Sequence, residues 1–273
     1  MKKLTLLLLA LLYVTLTYAY TERDLLQKQA DINRLKEILV LDRQWVTYPD
    51  YNDRAGWDRF LGTFKDEYIR RGEKRLNYQW QVVKATDYLA FERTGNRQIM
   101  EKPFGANNGA IADLLMAELA EGKGRFVDQL INGVFNACEM TSWALAAHII
   151  VQPSHRALPA YDYPVIDLTS GDLGGLLAWT YHFMRPSFDK VDPEISRRLR
   201  HELQTRILDP YMNNDSFWWM GRNYNGRMLN NWNPWCNSNA LMCFMLLEDK
   251  RDTLAKAVHL TMESVDQLPH YTK

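Results

Sequence analysis

Helical periodicity runs through almost the whole sequence and constrains the fold more than any other feature. Between residues 125 and 147, for example, Ile131, Val134, Cys138 and Leu145 recur at a spacing of three, four or seven residues. No window shows the alternation of polar and apolar residues that is typical of a strand. The sequence therefore predicts an all-α fold. We place its helices at residues 22–40, 57–70, 74–93, 108–121, 125–147, 170–184, 193–212, 234–248 and 251–267.

Segments rich in Gly, Pro and Asn, which predict loops, divide the chain into pairs of helices. Short and long connections alternate, as expected for helices stacked in antiparallel pairs. Asp192 before Pro193 and Asn233 before Pro234 predict two helix starts, each an N-cap followed by proline. No linker rich in Pro, Gly or Ser splits the array. Gly, Pro and Asn collect in predicted loops at 94–96, 103–109, 153–164 and 213–234.

The first residues have the pattern of a secretory signal peptide. Lys2 and Lys3 precede an apolar stretch from residue 4 to 16, and small residues follow up to Ala19. We predict that residues 1–19 are removed and that 20–273 is a secreted or periplasmic domain. The alternative is a retained membrane anchor, for which the apolar stretch is short, because a span takes about 20 residues.

Charge and cysteine content exclude several classes of protein. Removal of residues 1–19 takes two of the 33 basic residues and none of the 33 acidic ones, which leaves a net charge of −2. This balance predicts no nucleic-acid partner and, after cleavage, no membrane partner. Cys236 and Cys243 lie about 10 Å apart on one predicted helix, too far for a disulfide. We expect Cys138 to be a small core residue rather than a nucleophile.

Residues 230–239 contain five Asn and two Trp. If Asn233 caps the following helix, Asn231 lies just outside the helix N-terminus, where backbone N–H groups and the helix dipole favour a carboxylate. A uronate of a substrate is a candidate for that position. The alternative is that these Asn residues only cap the helix and turn the chain.

Aromatic and cationic residues around this segment resemble a sugar-binding surface. Sugar rings stack on flat aromatic faces, and a few polar groups set their orientation. Burial of these aromatic side chains in the core is the alternative. The candidate substrate-binding residues are Trp218, Trp219, Arg222, Tyr224, Trp232 and Trp235.

A second stripe on the predicted helix 125–147 is polar and aromatic. Asn136, Glu139 and Trp143 are spaced i, i+3 and i+7 and are candidates to line a substrate cleft, unless they form a solvated face. His148 is a further candidate for substrate binding and is predicted to lie at the end of this helix, with its chemical role open. The six His are scattered, and neither HExxH nor a paired CxxC occurs, so the sequence predicts no metal and no cofactor.

Four segments in chain order resemble the heparinase II/III-like polysaccharide lyases. They are residues 79–97, 136–148, 218–221 and 230–235, and the resemblance covers about residues 57–267. It implies the N-terminal (α/α) toroid of such an enzyme, present here as an incomplete toroid of antiparallel helix pairs. It also implies β-elimination of a uronic-acid polysaccharide, with Asn231 as the residue that neutralises the uronate carboxylate and Asn230 as the adjacent candidate.

The resemblance also implies parts that this sequence lacks. Members of the family have a catalytic Tyr in a Gly- and Glu-rich loop and a His from a β-sandwich, and Tyr271 does not match that pattern. We therefore expect little activity from this chain alone, and instability or association of an incomplete toroid. Two alternatives stay open: an (α/α)-barrel glycoside hydrolase that uses carboxylates such as Glu139 and Asp172, and a non-catalytic glycan-binding module.

Overall fold

The computed structural model describes residues 24–222 and 229–271, with side chains as far as residue 268. The predicted signal peptide lies outside these ranges. All regular structure within them is helical, so the all-α class is confirmed. In chain order the helices are α1 Ile32–Ile38, α2 Arg54–Leu61, α3 Lys65–Glu73, α4 Ala85–Thr94, α5 Gln98–Glu121, α6 Val127–Cys138, α7 Ala146–Ile149, α8 Leu168–Val191, α9 Pro193–Leu203, α10 Asp209–Asn213, α11 Trp232–Leu247 and α12 Arg251–Tyr271.

The long helices pack as hairpins. Helix α5 packs on α6, α8 on α9 and α11 on α12, and each pair is joined by a short connection, so the partners run antiparallel. A π-helical turn, Gln204–Leu208, joins α9 to α10. The predicted antiparallel pairs are therefore present, whereas the (α/α) toroid stays a prediction.

The first helices of the three hairpins run parallel to one another. Near the start of α8, Asp172 accepts hydrogen bonds from Trp235 and Asn239 in the first half of α11. Further along both helices, Trp45 packs on Trp179 of α8 and donates to the Met245 carbonyl of α11. Since the contacts advance in one direction along α8 and α11, the N-termini of these two helices lie at the same end.

A segment from residue 41 to 57 crosses the opposite end. The Arg43 Nε donates to the Leu246 carbonyl at 2.8 Å, and the Arg54 Nη1 donates to the Leu119 carbonyl at 2.9 Å. These carbonyls belong to the last turns of α11 and α5, which have no partners within their own helices and carry the negative end of the helix dipole. The segment thus closes the C-terminal ends and leaves the N-terminal ends available for a site.

The prediction of a helix over 74–93 is wrong in its first half, because residues 78–84 form no regular structure and helix α4 starts at Ala85. Side-chain amides replace the helical hydrogen bonds. Asn107 donates to the carbonyl of Gln81 and accepts from its N–H, and Gln129 donates to the carbonyls of Leu76 and Tyr78. Partners distant in sequence therefore override the helical pattern.

The predicted loop at 103–109 is also wrong, because α5 runs through it from Gln98. Phe104, Asn107, Ile111 and Leu114 form a buried stripe at helical spacing. Burial of this stripe offsets the low helix propensity of Pro103 before it and of the Gly and Asn residues between its members.

The predicted helix 125–147 is interrupted, because α6 ends at Cys138. Arg206 reaches across from the π-helical turn and donates to the carbonyls of Cys138, Met140 and Thr141. These bonds satisfy the carbonyls that a longer helix would have used, so Asn136, Glu139 and Trp143 do not share one helix face.

Close packing of α3 on α5 depends on Gly72. A methyl group at this position would lie 2.2 Å from Cβ of Ala117, which is fully buried. We expect Gly72→Ala to lower the free energy of unfolding by about 1–3 kcal/mol, because the core must move to admit the methyl group. Gly109→Ala is the matched control, since its Cβ would meet nothing within 4 Å. The control should stabilise by up to about 1 kcal/mol. If chemical denaturation gave the same change in the free energy of unfolding for Gly72→Ala and Gly109→Ala, the close packing of α3 on α5 at Gly72 would be contradicted.

The three cysteines are free and buried, as expected for core residues. Burial raises the pKa of the Cys138 thiol to about 12 and the pKa of the Cys243 thiol to about 12, and it raises the pKa of Cys236 well above its usual range. Thiols in this state are poor nucleophiles. Among the described helices, none combines the length and apolar character that crossing a membrane requires.

Candidate functional site

The N-terminal ends of three helices meet at His148, which lies in the short helix α7. Arg97 is the N-cap residue of α5, Asp167 is the N-cap residue of α8, and Trp232 is the first residue of α11. His148 contacts all three: Arg97 Nη2 at 3.3 Å, Asp167 Oδ2 at 2.7 Å and the Trp232 ring at 4.6 Å between centroids. Converging helix N-termini favour an anion.

The hydrogen bonds of His148 assign its tautomer. A guanidinium can only donate, so Nε2 of His148 accepts from Arg97 and carries no proton. The ring proton is therefore on Nδ1 and is donated to Asp167. The Nε2 lone pair is occupied by Arg97 in this structure, and it can act as a general base only after the guanidinium turns to another acceptor.

Asp167 is fixed more firmly than any other group of the site. Its carboxylate is fully buried and accepts from the backbone N–H of Ser170 at 2.7 Å and of Leu145 at 3.1 Å, besides His148. Ser170 completes a reciprocal capping arrangement by donating its hydroxyl proton to the carbonyl oxygens nearby and accepting from the Asp167 N–H. The carboxylate that orients His148 is thus part of the start of α8.

One indole ring, Trp232, contacts the imidazole, and a second, Trp218, packs against Trp232. Trp232 is half-buried and lies 5.3 Å from Trp218, between ring centroids. These two rings and Tyr163 line one small cleft. Tyr163 is held there by its hydroxyl, which bonds to Ser216 Oγ at 2.6 Å and accepts from Asn214. The site thus combines an imidazole, a guanidinium and aromatic surface.

The start of α11 differs from the prediction. The helix begins at Trp232 with Asn231 as its N-cap residue, so the expectation that Asn233 caps it is wrong. Asn233 is fully buried, and its Nδ2 donates to the carbonyls of Trp219 and Ser264, which ties α11 to α12. Packing across helices therefore decides where this helix begins.

The two catalytic candidates lie beside this helix start. Asn231 is exposed and its side chain makes no capping hydrogen bond, so its amide faces the solvent near the N-terminus of α11. Asn230 is exposed as well, and its Oδ1 accepts from the Trp232 N–H at 3.0 Å. Asn231 is thus the freer of the two amides.

Two predicted substrate-binding aromatics lie in the core. Trp219 is 1% exposed and donates to the Ile166 carbonyl, and Trp143 is 2% exposed and donates to the Ala137 carbonyl. Trp235 is 44% exposed and donates to Asp172. Of these three indoles, Trp235 alone has a surface large enough for stacking on a sugar.

The polar candidates are dispersed. Asn136 accepts from Asn107 and braces the α5–α6 hairpin. Glu139 is exposed and pairs with Arg198 of α9 at 3.3 Å. Arg222 pairs with Asp215 at 2.6 Å on the surface. Tyr224 lies outside the described residues. The structure therefore brings together His148, Trp218, Trp232 and the neighbouring Asn231, and not the whole predicted set.

Sequence analysis missed Arg97 and Asp167. Asp167 has one local signal, since Asp three residues before Ser at the start of an apolar helix is typical of an N-cap. Nothing local connects it with His148, which is 19 residues away in a different helix. Within the described residues, no cluster of His, Cys, Asp and Glu is arranged to hold a metal ion.

The chain matches no known family model, and a search of curated proteins gave no match.

Proposed function

We propose that these helices form the substrate-binding and proton-abstracting part of a polysaccharide lyase that acts on a uronic-acid polymer by β-elimination. The observation that carries the proposal is His148, held between Asp167 and Arg97 with an unprotonated Nε2 at the junction of three helix N-termini. The proposal includes export, with residues 1–19 as the signal peptide.

β-Elimination requires a site that binds the uronate carboxylate and, beside it, a base that removes the C5 proton. Arg97, whose Nε pairs with Glu101 at 2.6 Å in this structure, and the N-termini of α5 and α11 would hold the uronate carboxylate, and Asn231 is a further donor beside them. Neutralising the carboxylate makes the C5 proton more acidic. Once the Arg97 guanidinium has turned from His148 Nε2 to the carboxylate, Nε2 would take this proton, and the electron pair of the C5–H bond would form the C4–C5 double bond. The C4–O4 bond breaks, and O4 takes a proton from an acid. Asp167 would stabilise the imidazolium formed.

The remaining features support a sugar ligand. Trp218 and Trp232 offer apolar faces next to the base, and Trp235 offers a further exposed ring on the outer side of α11. The carboxylates of the hydrolase alternative are both engaged elsewhere. Glu139 pairs with Arg198, and Asp172 accepts from Trp235 and Asn239. No observation favours these two as an acid and base pair.

Arg97 should contribute to affinity through the substrate carboxylate. Its side chain is 45% exposed, so Arg97→Met should leave folding intact. We expect the change to weaken binding of a uronate oligosaccharide roughly 10- to 100-fold, the range for a hydrogen bond to a charged group. Arg93→Met, an exposed position in the last turn of α4, is the control. Equal affinities of the two variants in calorimetric titration would exclude Arg97 from the site.

Deuterium exchange at C5 of a uronate oligosaccharide tests the proposal, because exchange needs the base and the carboxylate site but no acid at O4. We expect the purified chain to exchange the C5 proton for deuterium in deuterated buffer. The loss of the C5 signal in proton NMR measures this exchange. Appearance of unsaturated uronate ends would show the complete elimination. New reducing ends without a double bond would support a hydrolase instead, and binding without exchange would support a glycan-binding module.

A further inference from the structure

An apolar pocket of about 320 Å³ lies between α2, α5 and α8, at the end of the molecule that the segment 41–57 closes. Half of the residues that line it are aliphatic and half are aromatic. The aliphatic residues are Ala112, Leu115, Met116, Leu119 and Leu176. The aromatic residues are Tyr48, Trp57, Phe60, Trp179 and Phe183.

The five aromatic rings of this apolar pocket pack on one another. Tyr48 lies 5.3 Å from Phe60 and 5.4 Å from Trp179, between ring centroids and edge to face. Trp57 lies 5.5 Å from Phe183 in the same manner. Trp179 and Phe183 are stacked at 5.4 Å. Because each ring is held by its neighbours, the pocket keeps its shape without a ligand.

Among the described residues that line the apolar pocket, none carries a charge at neutral pH. The polar side-chain atoms of the lining are the Tyr48 hydroxyl and two indole N–H groups. The Trp57 indole donates to the Asp50 carbonyl at 3.0 Å, so its hydrogen bond is already made. A charged ligand would lose its hydration here without gaining a partner, which is costly. The lining therefore favours an uncharged ligand.

The volume of the apolar pocket sets the size of this ligand. An apolar cavity of about 150 Å³ takes one benzene ring. The apolar pocket has about twice that volume, at the lower end of the usual range of about 300–1,000 Å³ for ligand sites. Tyr48 and Phe60 are exposed, so the pocket is open to solvent beside them. A molecule of two fused rings can enter and fill it.

The apolar pocket is separate from the His148 site. At a rise of 1.5 Å per residue, its lining residues begin about 22 Å from Arg97 along α5 and about 14 Å from Asp167 along α8. The two sites thus lie toward opposite ends of the same helices. A ligand in the apolar pocket does not need the uronate chemistry of the proposed function.

We propose that the apolar pocket is a binding site for an uncharged, apolar molecule about the size of two fused rings. Aromatic rings can also form a cage for a quaternary ammonium group through cation–π contacts. The aliphatic half of the lining favours the uncharged ligand, because aliphatic side chains offer apolar contact but no π-face to a cation.

The test uses naphthalene as the probe and the full chain with 13C-labelled methionine methyl groups. Met116 lines the pocket, and Met116→Leu assigns its NMR signal. We expect naphthalene to shift this signal saturably, with a dissociation constant below about 1 mM. Ala112→Phe places a ring in the pocket and should weaken binding at least about tenfold. Ala106→Phe, also half-buried on α5 but outside the lining, is the matched control and should bind as the parent chain does.

Three results would overturn the proposal. The first is no saturable shift of the Met116 signal, or equal weakening of binding by Ala112→Phe and Ala106→Phe. The second is a shift caused by tetramethylammonium and not by naphthalene, which would mean an aromatic cage for a cation. The third is a dimer in sedimentation whose Met116 signal does not respond, which would mean that a second copy covers the pocket. Leu176→Trp fills the pocket from α8 and replaces Ala112→Phe if that variant lacks the helical circular dichroism of the parent chain.

Discussion

Asp167→Asn is expected to lower the free energy of unfolding by about 2–4 kcal/mol, measured by chemical denaturation. Both carboxylate oxygens accept from a buried backbone N–H: Oδ1 from Ser170 and Oδ2 from Leu145. An Asn side chain has the same shape but must place its NH2 group against one of these donors. Whichever way the amide is turned, a backbone N–H in the core loses its acceptor, and the unpaired group is costly.

Asp172→Asn is the matched control on the same helix. Asp172 is exposed and accepts from Trp235 and Asn239 through one oxygen, which an Asn retains. We expect a change within about 0.5 kcal/mol. Equal destabilisation by the two substitutions would show that the capping network of Asp167 is not what stabilises the start of α8.

His148→Asn is expected to slow C5 proton exchange of a bound uronate by about 10²- to 10⁴-fold, the usual contribution of a general base. The substitution keeps a polar group that can accept from Arg97 but removes the nitrogen that takes the proton. The His148 side chain is 14% exposed, so its loss should affect folding less than a change at Asp167. Proton NMR in deuterated buffer measures the rate.

The control for His148 is His155→Asn. His155 is exposed and has a left-handed backbone with φ of 53°, a conformation that Asn also tolerates. Exchange by this variant should match that of the parent chain. If His148→Asn exchanged at the parental rate while still binding the oligosaccharide, another group would have to be the base.

Local signals predicted some of these features correctly. Asp192 followed by Pro193 marks the start of α9, where the Asp192 side chain accepts from the Glu194 N–H. The cluster of Asn and Trp marks the start of α11 within two residues. At the start of α9, residues adjacent in sequence make the hydrogen bonds that fix the chain, so the local pattern is informative there, whereas Asn233 at the start of α11 bonds to the distant residues Trp219 and Ser264.

Contacts between distant residues account for what the sequence did not predict. The non-helical course of residues 78–84 depends on Asn107 and Gln129, and the end of α6 depends on Arg206. The same holds for the site. His148 lies in α7, whereas Arg97 and Asp167 are the N-cap residues of α5 and α8, and only the packing of these three helices places their side chains together.

Recognition of a carboxylate is the property that separates the proposed uronate site from a general sugar-binding surface. Two calorimetric titrations measure this recognition. In one the chain binds a uronate oligosaccharide, and in the other it binds the same oligosaccharide after reduction of its carboxyl groups to alcohols. We predict that the acidic form binds at least about tenfold more tightly and that Arg97→Met removes the difference. Equal binding of the two forms, or no binding of either, would contradict a uronate site at His148.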